Sequence, residues 1–199
     1  MKHCLIILSF FINLQAYSQV LNFKTDVATA KSAYASGKLE DAHFALQQSM
    51  QEIDIIIGKE VLKLLPLKMD TLAAVTAQDN VTGNISFVGA TIHRSYGKGI
   101  QKADVEIVNN SPLLGMLNAF LTSPLLAGLG NDGKTKVLKI QGYKSRLTKE
   151  DNAGGSPSYR LEIPFSNALV TLNVNNSTDT EIIAMASSIP FDQIAKLIQ

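Results

Sequence analysis

Tryptophan is absent from this chain, and cysteine occurs once, as Cys4. Histidine is almost as scarce, with three residues in 199. An excess of charge of one sign is missing too, since 18 basic residues stand against 17 acidic ones. Each scarcity removes a chemistry. One cysteine cannot form an internal disulfide or a cysteine-based metal site. A balanced charge leaves no electrostatic footprint for nucleic acid or for anionic lipid.

The N-terminus argues for export. Lys2 supplies a short positive region, and Leu5 to Leu14 form an apolar run containing Ile6, Ile7, Leu8, Phe10, Phe11 and Ile12. Small residues, Ala16 and Ser18, follow at the spacing of a cleavage site. A run this short before a small-x-small cut reads as a signal peptide over residues 1–18. An uncleaved anchor or a buried strand are the alternatives. Cleavage after Ser18 starts the mature chain at Gln19 and places it in the periplasm or outside the cell. Cys4 is discarded with the signal, and its position ahead of the apolar run does not suit lipid attachment. With Lys2 gone, 17 basic residues face 17 acidic ones. About 180 residues remain, enough for one domain or a domain with a small helical extension.

Candidate catalytic sets are thin. Only His43 and His93 survive cleavage, and no serine sits in a G-x-S-x-G elbow. The two histidines lack the spacing of a histidine-rich metal site. Asp104 and Glu106 share one face of a strand and read as a solvated face, with two calcium oxygens as the sharper alternative. Asn131-Asp132 with Lys134 lacks the rest of an EF-hand loop. Gly97-Lys98-Gly99 and Gly130 to Lys134 carry phosphate-loop residues but precede strands, so they read as hairpin turns. Lys136, Lys139, Lys144, Arg146 and Lys149 cluster with only Tyr143 interleaved, which argues against a nucleic-acid surface. The sequons at Asn80, Asn84, Asn109, Asn175 and Asn176 matter only in a eukaryotic secretory pathway, and the short signal looks bacterial. No catalytic residue, metal-ligand set or cofactor is expected, and the chain does not read as an enzyme.

The pattern predicts three regions: a helical hairpin over 19–66, a linker over 67–84 and an α+β domain over 85–199. Val27, Ala30 and Tyr34 recur at helical spacing until Gly37 breaks the run. Leu39, Ala42, Leu46, Met50, Ile53, Ile57, Val61 and Leu64 mark a longer helix that Pro66 ends. Strands are expected at Ile85–Tyr96, Ala103–Val108, Lys136–Leu147, Tyr159–Phe165 and Leu169–Val174, the last two joined at Ser166-Asn167. Thr178 with Glu181 three residues on forms a capping box for a helix to about Ser187. Pro190 restarts a last helical turn to Ile198. The resulting fold class is α+β: the hairpin, then an antiparallel sheet in ββ-α-βββ-α order with helices packed on one face.

Ala30, Tyr34, Gly37, Leu39, Ala42 and Leu46 together resemble one tetratricopeptide unit, about 25 residues of it. A solenoid needs roughly three copies, and no second copy is present, so the unit reads as a lone hairpin. The element order after it looks like the Mog1/PsbP-like sheet-and-helix domains of exported proteins. The layout also resembles exported bacterial proteins in which a hairpin ending Leu-Leu-Pro precedes a small α+β domain. That likeness carries no activity with it.

One segment stands apart. No charged residue occurs between Ile107 and Asn131, and Ser111 to Gly130 is strongly apolar. Pro112 suits the first helical position with Ser111 as cap. Gly115, Ser123-Pro124 and Gly128 interrupt a membrane span, giving a helix to about Thr122 and a second short turn. The segment reads either as a buried helix or as an apolar flap. The flap would meet lipid or a partner through Leu113, Leu114, Met116, Leu117, Phe120 and Leu121. The expected function is an exported accessory protein, a non-catalytic interaction module for another envelope or secreted protein. The alternative is a carrier or sensor of a lipid, membrane surface or other apolar ligand through residues 111–130.

Overall fold

The computed structural model describes residues 22–83, 89–123, 133–152 and 155–198. The expected signal peptide and its cleavage point lie outside the described residues. So do the start of the strand expected from Ile85, the short turn expected after Ser123, and Asn131-Asp132.

Helix α1 (Phe23–Ala35) and helix α2 (Leu39–Leu64) form the expected hairpin. The turn runs through Gly37, whose φ of +74° costs a glycine nothing. Ala30 and Ala33 of α1 are buried against Ala42, Ala45 and Ser49 of α2, and these small side chains let the helices approach closely. At 26 residues, α2 is twice the length of α1 at 13. Its second half therefore runs beyond α1 and packs on the sheet. Gly58 makes that contact possible: a Cβ there would lie 2.6 Å from Val81 Cγ1 and 3.2 Å from Ile92 Cγ1.

The segment expected as a linker is structured. It forms a small hairpin, β1 (Lys68–Met69) with β2 (Leu72–Ala73), then a 3₁₀ turn at Thr76–Gln78 and strand β3 (Asn80–Gly83). Strands β4 (Ala90–Lys98) and β5 (Gln101–Asn109) follow, then helix α3 (Leu114–Thr122). The run expected as one strand from Lys136 to Leu147 is a hairpin, β6 (Thr135–Ile140) and β7 (Tyr143–Glu150). Its two-residue turn puts Gln141 and Gly142 at φ of +46° and +91°, the left-handed pair that suits strand twist. Strands β8 (Ser158–Phe165) and β9 (Ala168–Val174) meet at Ser166-Asn167 as expected. Helices α4 (Asp179–Ser187) and α5 (Phe191–Ala195) close the chain. The capping box is present: Glu181 Oε2 accepts from Thr178 N at 2.8 Å, and Thr178 Oγ1 accepts from Glu181 N at 3.3 Å.

Among the described residues, seven strands make one antiparallel sheet in the order β3-β4-β5-β9-β8-β7-β6. Strand alternation sends Ile92, Arg94, Tyr96, Val105, Ile107, Leu161, Ile163, Val170 and Leu172 to one face. The end of α2, with α4 and α5, covers that face through Val61, Leu65, Ile182, Met185, Phe191 and Ile194. Tyr143, Phe165 and Phe191 pack together at centroid separations of 5.2 to 5.9 Å. The α+β class holds, with α2, α4 and α5 on one face. Helix α3 lies on the other, where Leu117 and Leu121 meet Leu169, a residue of opposite parity to Val170.

Candidate interaction surfaces

Helix α1 packs on α2, which reaches the sheet only from Gln51 onward, where it meets Gly83 of β3, and the two helices carry large apolar side chains on their outside. Phe23, Val27 and Tyr34 of α1 and Leu39, Leu46, Met50 and Ile53 of α2 are between 40% and 71% exposed. Residues in an α-helix turn by about 100° each. On that geometry the α1 stripe sits roughly 80° from the line of Ala30 and Ala33, and the α2 stripe roughly 80° in the same sense from Ala42, Ala45 and Ser49. In an antiparallel pair, offsets of the same sense fall on the same side. The seven side chains therefore form one apolar side of the hairpin. Asn22 N donates to Glu52 Oε1 and fixes the pairing, which sets Phe23 beside Met50 and Ile53, Val27 beside Leu46, and Tyr34 beside Leu39.

The residues singled out in Ser111 to Gly130 divide by helical phase. Leu117 and Leu121 are buried, Leu114 and Phe120 are half-buried and packed against them, and Leu113 and Met116 are exposed. Arg146 places its guanidinium 5.2 Å from the centre of the Phe120 ring and pairs with Glu162 through Nε at 2.7 Å and Nη2 at 2.9 Å. Half of α3 is thus anchored to the polar face of the sheet, while its Met116 and the preceding Leu113 point outward.

That polar face brings two of the sequence candidates, His93 and Asp104, into a cluster. Asp104 Oδ1 accepts from Ser95 Oγ at 2.6 Å and lies 3.3 Å from His93 Nε2; its Oδ2 lies 3.1 Å from Lys102 Nζ. Antiparallel register makes this set, since Ser95 faces Asp104 directly and His93 faces Glu106. Burial raises the Asp104 pKa. The Ser95 and Lys102 hydrogen bonds and the charges of Lys102 and His93 outweigh burial and hold it below its ordinary 3.8. A carboxylate so held is a weak base. Ser95 is 1% exposed, and its hydroxyl points at the carboxylate, not at the imidazole. A serine nucleophile needs the imidazole between the two. The cluster is a structural tie across β4 and β5. Ser95 went unread in the sequence because only pairing register joins it to Asp104; Lys102, two residues before Asp104 on β5, shares its face by strand alternation and was within reach of the sequence.

The remaining candidates disperse. His43 is exposed on α2. Lys136 pairs with Asp179 at 3.0 Å, Lys149 lies 3.6 Å from Asp151, and Arg146 is held by Glu162, whereas Lys139 and Lys144 face each other across β6 and β7. Among the described residues no group of three or more His, Cys, Asp or Glu side chains could hold a metal ion, and no helix is long and apolar enough to cross a membrane. Comparison of the chain with family profiles, curated proteins and solved structures gives no match.

Proposed function

We propose that this chain is an exported accessory protein that binds another envelope or secreted protein, without catalysing a reaction, through the apolar side of its α1–α2 hairpin. The observation that carries the reading is the cluster of seven large apolar side chains on one side of a projecting hairpin. Exposed patches of that kind mark contact sites, because an apolar surface left in water costs roughly 25 cal/mol per Å² that a partner would recover. The α+β body serves as the mount, with α2 continuous from the docking side into the core. In this reading the signal peptide over residues 1–18 delivers the chain, and the hairpin works as one tetratricopeptide-like unit.

A photo-crosslinking residue at Met50, in the chain as exported by its own cell, tests the reading. Discrete protein adducts from Met50, with none from the same residue at Lys144 on the opposite face of the sheet, are expected. No protein adduct from Met50 would refute it.

The exposed Leu113 and Met116 favour a second reading, in which α3 touches a lipid or another apolar ligand. Two outward side chains on one short helix offer far less surface than the hairpin. Lipid adducts from a probe at Met116, without protein adducts at Met50, would put this reading first.

A further inference from the structure

We draw no further inference here: the strongest candidate, the small cleft between the β1–β2 turn and the first turn of α4, lined by the exposed Asp70 and Glu181, is a pair of acidic side chains beside a helix N-terminus with nothing that points to a ligand, since the buried Ser177 hydroxyl at its wall has no surface open to it.

Discussion

Arg94 grips Asp79 with two parallel hydrogen bonds, Nε to Oδ1 at 2.9 Å and Nη2 to Oδ2 at 2.6 Å. Its third donor, Nη1, reaches the Leu65 carbonyl at 2.8 Å, and the neighbouring Tyr96 hydroxyl donates to the Pro66 carbonyl at 2.9 Å. Strand β4 thereby holds both the end of α2 and the segment that leads into β3. The orientation of the hairpin on the sheet depends on this fork. Asp79 holds the Arg94 guanidinium more firmly protonated than usual, burial opposing it; burial pushes the Tyr96 phenol up to about 12.

Truncating one partner of this pair should be costly. Arg94 and Asp79 side chains are 5% and 15% exposed, so Asp79→Ala leaves a buried charge without its counterion, a loss of about 3–5 kcal/mol. The double change Arg94→Met with Asp79→Ala should cost clearly less, since no unpaired charge remains. Urea unfolding of the two variants checks the order. Equal losses would mean that the fork does not hold the linker.

Gly58 should not tolerate a side chain. A methyl group gains helix propensity of about 1 kcal/mol, but here it would press into Val81, whose branched side chain cannot swing aside. Gly58→Ala is expected to be destabilising on balance, and Gly58→Val more so, by roughly 1–3 kcal/mol. Val81→Ala in the same chain should recover part of the loss. Thermal melts give the answer, and a rise in Tm for Gly58→Ala would contradict the close approach of α2 to the sheet.

The hairpin, α4 and the β8–β9 turn were legible in the sequence because their signals are local. Gly37 breaks a helical period, Thr178 and Glu181 cap within one turn, and Ser166-Asn167 separates two alternating runs. Two features were not legible. Strand β3 is four residues with a single large apolar side chain, Val81, and only pairing with β4 makes it a strand. The turn at Gln141-Gly142 lacks the Asn-Gly or Asp-Gly signature. Gln141 Nε2 secures it by donating to the carbonyls of Ser187 and Ile189, at 3.0 and 2.8 Å, more than forty residues away. The apolar side of the hairpin shows a third limit. Leu46, Met50 and Ile53 read correctly as an apolar stripe, but spacing alone does not say whether anything lies over a stripe.

Leu117 and Met116 are neighbours that should respond in opposite ways. Leu117 is 3% exposed against Leu121 and Leu169, so Leu117→Ala should cost about 2–5 kcal/mol. Met116→Asp, at a residue facing solvent, should stay within about 0.5 kcal/mol. Guanidinium unfolding of both separates a packed helix from a loose flap. A neutral Leu117→Ala would mean that α3 is not seated on the sheet.

Acid should expose the Asp104 cluster. Its carboxyl pKa is lower in the folded chain than the ordinary 3.8, so it contributes stability above that pH and loses the contribution as pH falls through its lower folded value. Asp104→Asn is expected to be less stable than wild type at pH 7. The difference should narrow below pH 3.8 as the wild-type carboxyl takes up its proton. Denaturation midpoints across pH 2–7 read this directly, and a gap that stays constant with pH would contradict the Ser95, Lys102 and His93 contacts.

Coverage of the hairpin in the cell is the most direct test of its docking role. In a Cys4→Ser background, Met50→Cys supplies a single thiol, and Lys139→Cys supplies a control on the far edge of the sheet. Maleimide labelling is timed on the dilute purified chain and on the same chain in its native compartment. A partner seated on the apolar side should slow labelling at position 50 in place by at least about tenfold, with position 139 unchanged. Equal labelling of position 50 in both settings would mean that nothing occupies that side, and the docking reading would fall.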